Sequence, residues 1–148
     1  MKEFISRGKL KKAAISEGMI AKEFNIGVKD LASAQQTFDL GNYKWATIQA
    51  YYGIYHAVRS LVFKSGYREE SHFALKVAFK ELYIDTGILD LDVYRTLQRG
   101  MDLREMADYK EIFSENSARI LIKDVGLSFD RIRDFLLNEG IELTRGEK

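Results

Sequence analysis

Cysteine and proline are both absent from the 148 residues of this sequence. Without cysteine, the chain has no disulfides, no thiol nucleophile and no cysteine-ligated metal, a composition that suits an intracellular protein. Without proline, long helices meet no built-in break, and the sequence also lacks alternating polar and apolar segments of useful length. These absences favour helices joined by short turns.

Excess charge and long apolar runs are missing as well. Twenty-three basic and 22 acidic residues leave a formal net charge of +1, so no global field marks the chain as a nucleic-acid binder. No apolar run is long enough for a membrane span, and the first residues, MKEFISRGKLKK, lack the apolar core of a signal peptide. We therefore expect a folded cytoplasmic protein that makes no contact with a membrane.

Several motifs of enzyme chemistry are also missing. Histidine occurs only at His56 and His72, and neither belongs to an HExxH or similar metal-binding pair. The sequence contains no GxSxG elbow and no phosphate-binding GxxxxGK[ST] loop. We expect neither a metal ion nor a cofactor.

The most informative stretch is residues 42–64, NYKWATIQAYYGIYHAVRSLVFK, which we interpret as the central helix. Small residues recur at helical spacing on one face, where they allow a second backbone to approach closely: Ala46, Ala50, Gly53 and Ala57. A second stripe is apolar at its ends and polar in its middle: Trp45, Gln49, Tyr52, His56, Arg59 and Phe63. Because an unpaired buried charge is costly, we expect polar groups to face the middle of this stripe.

The remaining helices can be placed around this one by their apolar spacing and capping residues. We expect an opening helix or two over 1–24, a second helix over 25–40 that forms a hairpin with the central helix, and a frayed tail over 139–148. Later helices begin near Ser71, near Asp90 or Asp92, and near Ser114. The pattern predicts an all-α protein, a single antiparallel bundle of five or six helices over 1–148 with its core at 25–138.

A basic cluster near the start of the chain and the two histidines have two interpretations each. Arg7, Lys9, Lys11 and Lys12 form a local cluster that could contact phosphates or could be a solvated helix face. His72 follows a predicted helix start, where the helix dipole lowers the pKa of an imidazole and where anions can bind. His56 on the central helix is either an interior histidine with satisfied hydrogen bonds or a functional group.

The segment from Leu103 to Tyr109 offers the sharpest candidate site. Arg104 and Asp108 are four residues apart on one helix face, with Tyr109 beside them. Asp108 could hold Arg104 so that its guanidinium binds a phosphate, or the two could form a structural ion pair that pins this helix to the central one.

Three short motifs together resemble the HEPN domain, in its small stand-alone prokaryotic branch: YYxxxHAxR at 51–59, GYRxxSH at 66–72 and RxxADY at 104–109. The resemblance covers roughly 28–138. It implies an antiparallel helical bundle that usually forms a homodimer. It also implies an association with RNA cleavage, with toxin-antitoxin pairs and with a partner nucleotidyltransferase of the minimal type.

The ribonucleases of that family use an arginine that is followed by four to six residues and then by a histidine, placed at a dimer interface so that two copies build one site. Arg104 corresponds to the arginine of the motif, but Tyr109 follows it after four residues, and no histidine occurs after His72. Tyrosine, with an ordinary pKa of about 10, is a poor general base at neutral pH. Cleavage would therefore require His56 or His72 to lie near Arg104.

Our sequence hypothesis is a dimeric protein that binds RNA or nucleotide phosphates, or a partner protein, through Arg104, Asp108 and Tyr109. The candidate neighbours in binding are Tyr52, His56, Arg59, Arg68 and His72. If the protein cleaves RNA, we expect metal-independent attack by the 2′-hydroxyl, with Arg104 stabilising the developing negative charge. The alternative is a non-catalytic dimeric module that binds a minimal nucleotidyltransferase.

Overall fold

A computed structural model describes residues 1–143, which form a helical bundle with one small sheet. The described residues contain six α-helices: α1 (Lys2–Ser6), α2 (Glu17–Asp39), α3 (Tyr43–Lys64), α4 (His72–Phe79), α5 (Leu91–Lys110) and α6 (Glu115–Asn138). A π-helical turn, Lys80–Ile84, continues α4. Strands β1 (Leu10–Lys12) and β2 (Tyr67–Glu69) pair in antiparallel fashion. The prediction of an all-α bundle is confirmed.

The central position of α3 is also as predicted. Fourteen of its 22 residues are buried, because α2, α5 and α6 surround it. Asn42 caps its first turn by accepting a hydrogen bond from the Trp45 amide. Tyr51, Ile54 and Leu61 are among the largest fully buried side chains of the core. Side chains on different faces of α3 therefore contact different neighbouring helices, and the face that a residue occupies decides which other side chains it can meet.

Glycines at facing positions hold α2 and α3 close together. A Cβ added at Gly27 would lie 2.7 Å from the Gly53 carbonyl oxygen, and one added at Gly53 would lie 3.3 Å from the Gly27 carbonyl oxygen. The first distance leaves no room for a side chain on Gly27, and the second makes a side chain on Gly53 a tight fit. The small-residue face of α3 is thus where the neighbouring helix packs.

The predicted boundary between an opening helix over 1–24 and a second helix from residue 25 is wrong. Helix α2 runs without a break from Glu17 to Asp39, and the Ser16 side chain caps it by accepting from the Met19 amide. Gly18 lies in the first turn of α2, where a glycine disturbs few intrahelical hydrogen bonds. No helix boundary therefore falls at residue 25.

The ribbon of β1 and β2 was not predicted, since three-residue strands are too short to show a clear alternation. The predicted frayed tail does not begin at 139. Ile141 is buried, and its amide donates to the Leu136 carbonyl. Residues 144–148 of that predicted tail lie outside the described part of the chain.

Helix α6 is the longest element, and α2 and α3 are nearly as long. Within residues 1–143, no helix combines the length and the apolar character that crossing a bilayer requires.

Candidate functional site

A cavity of about 290 Å³ lies between α3, the start of α4 and the second half of α5. Its lining consists of Tyr51, Tyr52, His72, Met101, Arg104 and Glu105. One guanidinium, one imidazole, two phenols and one carboxylate thus meet at a single concave surface. Three residues predicted as site candidates, Tyr52, His72 and Arg104, come together here.

Arg104 is held in this cavity from several sides. Its Nη2 donates to the Tyr52 hydroxyl at 3.2 Å and lies 3.5 Å from the Asp108 carboxylate. The guanidinium also lies over the rings of Tyr52 and Tyr109, at 5.7 Å and 5.2 Å from their centroids. Only 20% of the Arg104 side chain is exposed, and its Nε is buried without a hydrogen-bond partner among the described residues. A fixed, partly desolvated arginine suits recognition of a phosphate.

A close approach of α5 to α3 brings Arg104 into position. A Cβ added at Gly100 would lie 3.3 Å from the Tyr51 ring, so a side chain here would push Tyr51 or α5 by a few tenths of an ångström. Arg104 follows one turn later on the same helix face, which places it beside Tyr52. The local spacing of α5 therefore fixes where the guanidinium enters the cavity.

His72 enters the cavity from the first residue of α4. The Ser71 side chain caps this helix by accepting from the Ala74 amide. Nδ1 of His72 lies 2.5 Å from the Tyr51 hydroxyl, and its ring packs 4.5 Å from the Tyr55 ring, measured between centroids. Burial lowers the pKa of His72, and the positive charge of Arg104 lowers it further. The sequence interpretation named the helix dipole as the cause, whereas burial is the larger effect.

Tyr51 supports His72 from the core of the bundle. Its side chain is 1% exposed, and burial raises the pKa of its phenol, so that the hydroxyl stays protonated. A protonated phenol can donate a hydrogen bond to Nδ1, or accept one from it, according to the tautomer of the imidazole. Tyr51 was not among the predicted site residues. Its only signal was its place in the YYxxxHAxR motif, beside Tyr52.

His56 and Arg59 do not reach this cavity, because they take part in a separate charged network. Nδ1 of His56 lies 2.5 Å from the Glu23 carboxylate, and its Nε2 lies 3.8 Å from Asp30. Burial raises the pKa of Asp30, an effect that the nearby His56 opposes. We expected polar partners for the middle of the α3 stripe, and α2 supplies two of them.

The other partner of this network comes from the ribbon. Nε of Arg59 donates to the Glu69 carboxylate, at 2.9 Å and 3.1 Å from its two oxygens. The Glu69 side chain is 2% exposed and also accepts a hydrogen bond of 2.5 Å from the Tyr55 hydroxyl. Each buried charge is therefore paired, as burial requires, and the network anchors β2 to α3.

The remaining predicted residues lie around the cavity or away from it. Asp108 pairs with Arg104, and Tyr109 lies against the guanidinium with 69% of its side chain exposed. Arg68 lies on β2 with its guanidinium 5.8 Å from the Phe63 ring, and it does not line the cavity. Sequence reasoning did not single out Met101 or Glu105 as site residues, although both share the cavity-facing side of α5 with Arg104.

A second groove, of about 300 Å³, lies between α5 and α6 and is lined by three arginines. Each of them has an aspartate partner: Arg95 with Asp92, Arg99 with Asp124 and Arg131 with Asp90. Because each arginine of this groove already has an aspartate partner and the lining contains no histidine or tyrosine, the groove is a weaker candidate site than the cavity around Arg104.

The described residues contain no cluster of potential metal ligands. Across 1–143, no three histidine, aspartate or glutamate side chains gather in an arrangement that could hold a metal ion. The cavity itself offers an arginine, an imidazole and two hydroxyl groups.

Comparisons with known proteins agree with the architecture. A family profile described as "HEPN domain" matches residues 22–134. The chain is 30% identical over 95 residues to a "UPF0332 protein" of Archaeoglobus fulgidus, covering 64% of this chain and 74% of that protein. It is 25% identical over 112 residues to "Putative toxin MJ0605" of Methanocaldococcus jannaschii, covering 75% of this chain and 84% of that protein.

A further similarity, at 22% identity over 116 residues, is to "Putative toxin MJ0142" of the same archaeon, covering 76% of this chain and 78% of that protein. The matched profile spans most of α2 and continues into α6, so it includes every residue that lines the cavity. The chain belongs to the HEPN domain family.

Proposed function

We propose that this protein is a toxin-like HEPN protein that binds single-stranded RNA in the cavity and cleaves it without a metal ion. The observation that carries the proposal is that Arg104 and His72 line the same cavity. An imidazole therefore stands beside the motif arginine although the motif histidine is replaced by Tyr109. The word toxin in the names of two similar proteins supports a role in a toxin-antitoxin pair.

The expected reaction is transfer of the phosphate to the adjacent 2′-hydroxyl. When Nδ1 of His72 donates to the Tyr51 oxygen, the lone pair of Nε2 accepts the proton of the 2′-hydroxyl. The 2′-oxygen forms a bond to phosphorus, and Arg104 stabilises the negative charge on the phosphate oxygens. The bond from phosphorus to the 5′-oxygen then breaks, and that oxygen takes a proton from water. The products are a 2′,3′-cyclic phosphate and a 5′-hydroxyl.

Neighbouring groups have supporting roles in this proposal. Asp108 and the Tyr52 hydroxyl orient the guanidinium, while Tyr109 covers one side of it. Glu105 can accept a hydrogen bond from a ribose hydroxyl, and its negative charge limits how strongly the cavity attracts phosphate when His72 is neutral. His56, Arg59 and Arg68 have no part in the chemistry.

Cleavage of a mixed RNA pool in EDTA tests this function directly. We expect Arg104→Ala and His72→Gln each to lower the cleavage rate at least about 100-fold, which is the usual loss for a charge-stabilising group or a general base. Arg95→Ala is the matched control, because it removes an exposed arginine from the same helix outside the cavity. DNA of the same sequence should not be cleaved, since it lacks the nucleophile.

The Tyr109→Phe variant separates the two roles of that residue. If the ring only packs against Arg104, the phenylalanine variant should cleave like the parent protein, whereas loss of cleavage would assign a role to the phenol. Circular dichroism must show that every variant is folded. Absence of cleavage by the parent protein would contradict the catalytic proposal.

A non-catalytic dimeric module is the second candidate. It is favoured by a group of exposed apolar side chains near the C-terminal end of α5: Trp45, Met106, Tyr109, Ile112 and Phe113. The ion pair of Lys44 with Glu111, at 2.6 Å, holds the start of α3 at this end of α5. We propose that a second copy of the chain covers this surface, and that a minimal nucleotidyltransferase is the partner protein.

Oligomeric state and salt dependence distinguish the two candidates. A Trp45→Glu and Ile112→Glu variant should be monomeric if this surface forms a homodimer, as sedimentation would show. RNA binding through phosphates weakens steeply as salt rises, whereas apolar docking does not.

We also propose that residues 1–148 act as one domain and that the protein is cytoplasmic, where it would meet RNA.

A further inference from the structure

The two-stranded ribbon carries positively charged side chains that form no ion pairs in the described residues, although the Arg68 guanidinium also lies 5.8 Å from the Phe63 ring. Lys11 and Arg68 are direct partners in the ladder, and both are exposed. Lys9 directly precedes β1, and its carbonyl accepts a hydrogen bond from the Glu70 amide, so it extends the ribbon at this end. We call Lys9, Lys11 and Arg68 the basic face. Glu70 lies opposite Lys9 at the end of this face, which leaves a net charge of +2 (three positive, one negative).

This arrangement costs free energy in the free protein. Like charges directly opposite each other across two strands are destabilising. No carboxylate lies within ion-pair distance of Lys9, Lys11 or Arg68 in the part of the chain that the structure describes. The register cannot shift to separate the charges, because Leu10 and Glu69 on the other face are buried. The fold therefore holds two unpaired cations together at the surface.

The basic face lies next to the cavity along the chain. His72 follows Arg68 by four residues, so their Cα atoms are at most about 14 Å apart. The path between them is tied down on both sides, since Glu69 is bound to Arg59 and Tyr55 and Ser71 caps α4. A ligand strand that leaves the cavity past His72 would meet Arg68 and Lys11 next.

We propose that the basic face is a second contact surface for RNA, which binds backbone phosphates of the strand that occupies the cavity. The inference rests on the proposed function. A row of cations along a strand is complementary to a linear polyanion, and the absence of large apolar side chains between these cations disfavours insertion into a lipid surface. RNA is bound at Arg104 through one phosphate and along the ribbon through several.

The test compares two charge-reversal variants with the same net charge. Lys11→Glu with Arg68→Glu alters the basic face, whereas Lys22→Glu with Lys123→Glu alters exposed lysines on α2 and α6. The probes are an uncleavable 2′-O-methyl RNA of about ten nucleotides, a typical single-strand site length, and a dinucleotide that fills the cavity alone. We expect the ribbon variant to bind the longer RNA at least tenfold more weakly, with a salt slope lower by about 1.4.

The dinucleotide separates failure of this inference from failure of the proposed function. It should bind the ribbon variant as it binds the parent, and Arg104→Ala should abolish its binding. Equal binding of the longer RNA by both double variants would overturn the role of the basic face, even if Arg104→Ala still removes dinucleotide binding. Binding of both probes that Arg104→Ala leaves unchanged would overturn the proposed function instead.

A single substitution provides a second test that does not depend on a double charge reversal. Lys11→Glu turns the repulsive pair with Arg68 into an attractive one, so the melting temperature should rise while affinity for the longer RNA falls. A ribbon with only a structural role would show the rise in melting temperature without the loss of affinity, and that result would overturn the inference.

Discussion

The Tyr51 hydroxyl lies 2.5 Å from Nδ1 of His72, which joins the middle of α3 to the first residue of α4. Tyr51 is fixed by burial in the core, and burial raises the pKa of its phenol above the ordinary value of about 10, at which it is already protonated at neutral pH. The imidazole of His72 is thereby oriented by the core of the bundle, in the way that a third group orients the base in many catalytic sites.

Replacing Tyr51 with phenylalanine should impair cleavage more than binding. The ring would still fill the core, but Nδ1 of His72 would lose the partner that sets its orientation. We expect the cleavage rate to fall about tenfold, in line with a lost hydrogen bond of about 1 kcal/mol or somewhat more, while RNA affinity stays within about twofold. Tyr55→Phe, which leaves the contact with Nδ1 intact, is the control. An equal loss in both variants would contradict a positioning role for Tyr51.

The pKa of His72 predicts how stability depends on pH. Because burial lowers this pKa below the ordinary value of 6.5, the unfolded chain takes up the proton at higher pH than the folded protein. The contribution of His72 to the free energy of unfolding is therefore complete above about pH 6.5 and decreases as the pH falls through 6.5 towards the folded pKa. Urea denaturation at several pH values should show a steeper decrease for the parent than for His72→Gln. Parallel curves would rule out this contribution.

The surroundings of Gly27 and Gly126 predict opposite effects of replacing each glycine with alanine. Gly27→Ala should lower the free energy of unfolding by about 2 kcal/mol, since the added methyl group would collide with the backbone of α3. Gly126→Ala is the matched control on α6, where the nearest atom to an added Cβ is 4.0 Å away. It should raise stability by about 0.5–1 kcal/mol through better helix propensity. A Gly27→Ala variant as stable as the parent would show that the helices separate easily.

The charged network predicts different costs for two adjacent glutamates. Glu69→Gln should lower the free energy of unfolding by about 2–3 kcal/mol, because it leaves Arg59 without its main counter-charge in a mostly buried setting. Glu70→Gln, at the exposed neighbouring position, should change it by less than about 0.5 kcal/mol. Chemical denaturation would measure both. Similar values for the two variants would mean that solvent reaches the Arg59 pair freely.

Local spacing accounts for the parts of the fold that the sequence predicted well. The central helix, its small-residue face and the caps at Ser71 and Ser114 follow from patterns of three or four residues. The error at residue 25 came from dividing the helix there, whereas α2 continues through Asn25 and Gly27, and Gly27 packs closely against α3. The ribbon was missed because its stability comes from pairing between segments about 57 residues apart, which no local pattern reveals.

In the candidate site too, contacts within one helix could be predicted from the sequence, whereas contacts between helices could not. The pair of Arg104 with Asp108 could be predicted, since the two residues lie one turn apart on α5. The contact of His72 with Tyr51 could not, because it depends on how α4 docks against α3. Tyr52 and His56 share a helix face by spacing, yet the Tyr52 hydroxyl accepts from Arg104 while His56 pairs with Glu23 on α2.

The two facing glycines also fix the helices in one axial position. Sliding α3 along α2 by one turn would bring Gln49 or Ala57 to the place of Gly53, and the Cβ of either residue would meet the α2 backbone. The close contact of the two glycines therefore defines one axial register between α2 and α3. Tyr51 and Arg59 are both carried by α3, eight residues apart, so the spacing of these two residues, about 12 Å along the axis, is set by the helix itself.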